Sequence, residues 1–162
     1  MLSKNGEAFT YAPIWQNGKP TGIWSKTLFA REVKSIGSTS ATIGDCVINI
    51  GNEVKCYGDG DIAYVLSDIS PSIDSPEQIA CGQLHCIVLQ RDGSVLAWGD
   101  RFNTFSGVLD VPGNLSMASS ISADVATNYA VVNGRLVAWG SIYVPEGLHE
   151  LFAPNGTHLP EN

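Results

Sequence analysis

Apolar residues in this chain fall in short runs separated by turn signals, and one run–turn–run pattern returns at a fixed interval. The clearest copy is Gln78 to Asp100, QIACGQLHCIVLQRDGSVLAWGD. Its middle, Cys86-Ile-Val-Leu89, reads as an unbroken apolar strand. Arg91-Asp92-Gly93 follows, and Asp-Gly between two apolar runs is a strong hairpin signal. A second strand, Ser94 to Trp98, is closed by Gly99. The pattern returns downstream from Tyr129 to Gly140 and upstream from Cys46 to Gly58, with Gly51-Asn52 as the upstream turn. The aromatic-Gly pairs 57/58, 98/99 and 139/140 lie 41 residues apart. A fixed period of about 20–50 residues, with a hairpin in each unit, predicts an all-β propeller.

The period divides the chain into about four blades of a single repeat domain over residues 1–162. Complete units lie near 33–58, 78–100 and 119–140, and a split unit joins 1–12 with 151–162. In the split unit, Asn5-Gly6 matches Asp92-Gly93 and Tyr11 matches Trp98. Phe152 to His158 aligns with Ile79 to His85, so the tail carries the first strand that the head lacks. An unpaired strand edge invites association. The tail is therefore expected beside the first hairpin, within one chain or between two, with exchange between two chains favoured. A partner subunit that supplies further blades is the third possibility. Residues 13–35 read as a connection broken by turns at Asn17-Gly18, Pro20 and Thr21-Gly22, and 59–77 as a polar linker. No helix of ordinary length is required anywhere.

The central pattern, Ile79-Ala-Cys-Gly-x-x-His85-x-x-x-Leu89-x-x-Asp-Gly-x-Val95-x-x-Trp-Gly-Asp100, resembles the repeat of the regulator of chromosome condensation family. Leu109-Asp-Val-Pro-Gly-Asn-Leu115 is similar to the shorter bacterial connection, found in the propeller that inhibits β-lactamase. The resemblance implies a β-propeller, usually of seven blades, that binds macromolecules through loops on its rims. It also implies that His85 is a packed, hydrogen-bonded histidine stapling adjacent blades. The chain departs from the family in having too few units for seven blades. Thr127 stands at the histidine position of the next unit, and Tyr57 replaces one tryptophan.

Composition narrows the function classes. Acidic residues outnumber basic ones 16 to 9, for a formal charge of −7. Nucleic-acid surfaces show clustered Lys and Arg, and here Lys19, Lys26, Arg31 and Lys34 form the densest group, which argues against a nucleic-acid partner. No apolar run has membrane-spanning length, and the N-terminus lacks the apolar core of a secretion signal. A cytoplasmic location is the default expectation, with a virion-assembled form as the alternative. Cys46 and Cys56 lie on two arms of one hairpin, and Cys81 and Cys86 across a turn. Neither spacing is that of a zinc ribbon. Free, buried thiols are expected, with disulfides and a metal site as alternatives. Asp59, Asp61 and Asp68 lack the oxygen spacing of a calcium loop. Neither a nucleophile elbow nor a phosphate-cradling glycine loop is present, so no enzyme activity, cofactor or metal is expected.

One pattern points to a surface. Four residues past each hairpin-ending aromatic stand Trp15, Asp61, Phe102 and Tyr143. Equivalent positions of successive blades share a propeller rim, and aromatic residues are favoured interface anchors. These four are the candidate partner-binding residues. Inter-blade packing of the rings is the alternative. The expected function is a non-catalytic protein-binding or assembly module, as a homodimer or larger assembly. Inhibition of an enzyme, a structural or adhesive role on a virion or cell surface, and guanine-nucleotide exchange on a small GTPase are the other readings.

Overall fold

The computed structural model describes residues 1–38, 44–58, 72–99, 107–113 and 115–141. Every regular element in them is a strand. Strands β1 (Ala8–Gln16) and β2 (Lys19–Ala30) form a two-stranded ribbon. Three antiparallel blades follow. The first contains β3 (Val33–Ser38), β4 (Gly44–Asn49) and β5 (Val54–Gly58). The second contains β6 (Pro76–Cys81), β7 (His85–Gln90) and β8 (Val95–Gly99). The third contains β9 (Ala118–Asp124), β10 (Thr127–Val132) and β11 (Arg135–Gly140). Among the described residues, no helix is long and apolar enough to cross a membrane.

The blades share one register. Gly44↔Gly58, His85↔Gly99 and Thr127↔Gly140 are the same pair in successive blades. The first two strands of each blade also carry an irregularity at the same place, at Val33/Ser35, Pro76/Gln78 and Val131/Val132. Turn chemistry sets this register. Asn133 and Gly134 both have positive φ between Val132 and Arg135, the two-residue hairpin turn that Asn-Gly favours. In the second blade, Asp92 Oδ1 accepts from the Ser94 N–H at 2.9 Å and from Ser94 Oγ at 2.6 Å. The Ser94 hydroxyl, and then its backbone N–H, hold the exposed Asp92 carboxyl below the usual carboxylate range. A depressed folded pKa adds stability above the ordinary carboxylate pKa, and that contribution is lost as pH falls through the folded value. Ser94→Ala should raise the Asp92 pKa toward its ordinary value in a carboxyl-resolved NMR titration; an unchanged titration would exclude this turn contact.

The cores lie between blades. Cys86 and Val88 of β7 pack with Cys46 and Ile48 of β4, Ile79 and Cys81 of β6, and Trp98 of β8. The intervening Ile87 and Leu89 pack on the other face with Ala118, Ile121, Ala130 and Trp139 of the third blade. Successive side chains of a strand point to opposite faces, so β7 supplies two cores at once. That is the physical reason for its unbroken apolar run. A smaller cluster joins Ala8 to Val33 and Val47, with Leu2, Phe29, Ala30 and Ile36 against it.

The chain start folds back on itself. Gly6 occupies a turn with positive φ, Leu2 bridges Ala8, and the Phe9 N–H donates to Met1 O at 2.8 Å. Gly6 O accepts from the Val33 N–H at 2.9 Å, as Gly93 O accepts from the Ala118 N–H at 3.0 Å. The first hairpin thus meets the first blade as the second blade meets the third. The expected tail segment, 151–158, lies outside the described residues.

Residues 13–35 are not the loose connection that their turn signals suggest. Asn17 and Gly18, both at positive φ, close a hairpin in which Gln16 faces Lys19 and Ala8 faces Ala30. Pro13 and Pro20 are tolerated because the ribbon, among the described residues, has only two strands, and a missing N–H on an outer side leaves no ladder bond unmade. Lys26 Nζ sits 3.7 Å from the Phe9 ring centroid, and Ile23 is 62% exposed.

Candidate functional site

The chemistry-bearing side chains of the described residues gather at the joints between blades. His85 opens β7 and is fully buried. Its Nε2 lies 2.8 Å from Asn128 Oδ1 on β10. Asn128 Nδ2 donates to Val108 O at 2.8 Å, which leaves Oδ1 as the acceptor and places the His85 proton on Nε2. Gly82 lies against the ring, and a Cβ there would overlap His85 Cε1. His85 therefore acts as the expected staple, and it links the second blade to the third. Thr127, at the histidine position one blade on, instead donates through Oγ1 to Ser141 O at 2.9 Å.

Asn128→Ala should cost about 1–3 kcal/mol, because it leaves a buried imidazole N–H without its acceptor. Combined with His85→Ala in a double-mutant cycle, the two losses should be clearly less than additive. Additive losses would show that the pair does not act as a unit.

A second joint contact is amide-based. Gln78 Nε2 donates to Ile121 O at 2.9 Å, and Gln78 Oε1 accepts from the Ile121 N–H at 3.0 Å. The side-chain amide thereby satisfies both backbone groups of one residue in the next blade. At the preceding joint, Ser35 Oγ occupies the corresponding place and accepts from the Ile79 N–H at 3.2 Å. Sequence reasoning misses these residues, because a polar residue that follows a charged one, as Gln78 follows Glu77 and Ser35 follows Lys34, reads as solvent-facing.

The cysteines differ from expectation. They are not free thiols: Cys46–Cys56 and Cys81–Cys86 are disulfides. Each pair sits directly opposite across neighbouring strands, with Cα atoms 4.0 Å apart. The two bonds also touch, since Cys46 Sγ lies 3.6 Å from Cys86 Sγ across the joint of the first and second blades. With both sulfurs in disulfides there is no S–H to share, and the approach is a packing contact.

Of the four candidate partner-binding residues, Trp15 lies in β1, opposite Pro20 and close to the Asn17-Gly18 turn. Asp61, Phe102 and Tyr143 lie outside the described residues. The ribbon exposes Tyr11, Ile14 and Ile23, which sequence reasoning passes over. Asn17-Gly18 is the signal that could have found them.

Residues 77–106 match the family model described as the regulator of chromosome condensation (RCC1) repeat. No curated protein sequence matches this chain. Three solved structures are similar in fold. Prp20p from Saccharomyces cerevisiae aligns with a TM-score of 0.57 at 17% identity, over 85% of this chain and 40% of that one. Human WBSCR16 aligns with a TM-score of 0.56 at 19% identity, over 86% and 44%. The ectodomain of the receptor kinase CR4 from Physcomitrella patens aligns with a TM-score of 0.56 at 21% identity, over 72% and 32%. The chain thus spans less than half the length of each. Residues 77–106 thus match the regulator of chromosome condensation repeat, and the chain has blades of the β-propeller type.

Proposed function

We propose that this protein is a non-catalytic module that binds another protein through its propeller rim. One observation carries the reading. The second blade, whose strands lie between Pro76 and Gly99, sends its histidine and apolar residues to the joints on its two faces, which leaves the inter-strand loops as the surface free to vary. Rim loops on a rigid scaffold are where binding residues collect. The solved Prp20p structures support the class: one has Kap60 bound, and another is described with binding to Gsp1p and histones. Those partners belong to Prp20p. The formal charge of −7 favours a partner with a basic surface.

The test replaces Phe102 and Tyr143 together with Ser. A photo-crosslinking residue at a neighbouring loop position captures the partner from the source cells. The expected result is at least about a tenfold loss of capture, a change worth about 1.4 kcal/mol, with an unchanged melting temperature. A sharp fall in melting temperature would assign the rings to inter-blade packing instead. Stimulated nucleotide release from a small GTPase would replace the reading with exchange activity.

The disulfides favour a second reading, a structural or adhesive role at a virion or cell surface. Disulfides form and persist in oxidising surroundings, whereas cytoplasmic thiols are kept reduced. Self-association through the edge of the first hairpin fits either reading.

A further inference from the structure

Neither cysteine pair has the spacing of a zinc site by itself, but the fold brings the two pairs together. Cys46, Cys81 and Cys86 place their Sγ atoms within 4.8 Å of one another, and Cys56 is bonded to Cys46. We propose that the reduced chain binds one thiophilic divalent cation, of the Zn2+ class, at this joint. Cys46, Cys81 and Cys86 are three ligands and Cys56 is the fourth.

The geometry suits such an ion. Zn–S bonds of about 2.3 Å in a tetrahedron set the sulfurs about 3.8 Å apart. Cys46 Sγ and Cys86 Sγ, on different blades, are already 3.6 Å apart. Within each pair, breaking the S–S bond frees the two sulfurs to separate to that spacing by side-chain rotation. The donor set is all sulfur, which selects Zn2+ over the oxygen-seeking Ca2+ and Mg2+. Ile48, Ile79, Val88 and Trp98 surround the cluster with apolar surface.

The chemistry balances through a named reductant. A dithiol, itself oxidised to a disulfide, or a phosphine, oxidised to its oxide with oxygen from water, supplies two electrons to each disulfide, and each of the four sulfurs takes up a proton from the dithiol or the water. Cation binding then breaks S–H bonds, forms S–metal bonds and releases the protons to solvent. The oxidised chain offers no thiolate, so the disulfides and the metal exclude each other. Redox state decides whether the sulfurs close strand pairs within each blade or tie the first blade to the second.

The experiment uses the full chain, reduced by a phosphine under argon and titrated with Co2+ and then Zn2+. The expected result is one Co2+ per chain with the intense visible absorption of tetrahedral thiolate coordination, lost on addition of one equivalent of Zn2+. The oxidised chain should show no such band. Cys46→Ser and Cys86→Ser should each abolish or strongly weaken it. If a serine variant fails to fold, the wild-type chain decides the matter, because Zn2+ should protect all four cysteines from alkylation, read by mass spectrometry. A reduced chain that gives no tetrahedral Co2+ spectrum, or whose alkylation Zn2+ leaves unchanged, overturns the proposal. So does peptide mapping that finds a Cys46–Cys86 disulfide in place of bound metal.

Discussion

Trp98→Ala should destabilise the chain by about 3–5 kcal/mol, the range for deleting a large buried aromatic side chain. Trp98 is 2% exposed and packs among Ile48, Ile79, Cys81, Cys86 and Val88, residues of two blades. Its removal leaves a cavity at a joint that cannot close readily, because both flanking strands are held by their own hairpins. Trp139 stands at the same register position one blade on, opposite Asn128 as Trp98 is opposite Cys86. It packs with Leu115, Ala118, Ile121 and Ala130, and Trp139→Ala should behave alike. Chemical denaturation of each variant measures the loss. A value below about 1 kcal/mol at both sites, no more than an average substitution costs, would overturn the assignment of these tryptophans to the joints.

The second large effect is expected at Gly99. This residue closes β8 opposite His85 with a φ of +102°, a conformation L side chains rarely adopt. A Cβ there would lie 2.5 Å from Leu84 O and 2.8 Å from His85 Cα. Both atoms are backbone, so no side chain can swing away to make room. Gly99→Ala should cost about 2–5 kcal/mol, the sum of the positive-φ penalty and forced overpacking. The same change at Gly113 is the control, since a Cβ there meets nothing within 4 Å and its φ is not positive. Thermal melts of the two variants check the prediction, and equal melting temperatures would refute it.

The repeat made most of the fold legible, for a local reason. Hairpins closed by Asp92-Gly93 and Asn133-Gly134 are specified by the turn residues themselves and need no tertiary information. His85 is legible as a staple through the family resemblance. Its partner Asn128 is not, because a polar residue beside apolar Tyr129 and Ala130 gives no sign of the histidine it will meet. The ribbon of β1 and β2 is hidden by Pro13, Pro20 and Gly22, which count as strand breakers in a wide sheet but not at an open edge. The cysteine cluster is hidden differently. Cys46 occupies the register position of Ile87, whose side chain faces the following blade, while Cys86 faces the preceding one. Their meeting follows from strand phase across two blades, and pairwise sequence spacing does not encode that. Asp61, Phe102 and Tyr143 lie outside the described residues and stand as rim candidates on the sequence period alone.

Strand β7 divides its side chains between two cores, and among the described residues no member of the first blade shares a core with the third. Energetic coupling of this kind runs between neighbours, as in linear repeat arrays. Among the described residues the array then has no single centre whose loss undoes it, and each joint stands on its own contacts. Duplication or deletion of a blade-coding segment would leave the chemistry of the remaining joints intact.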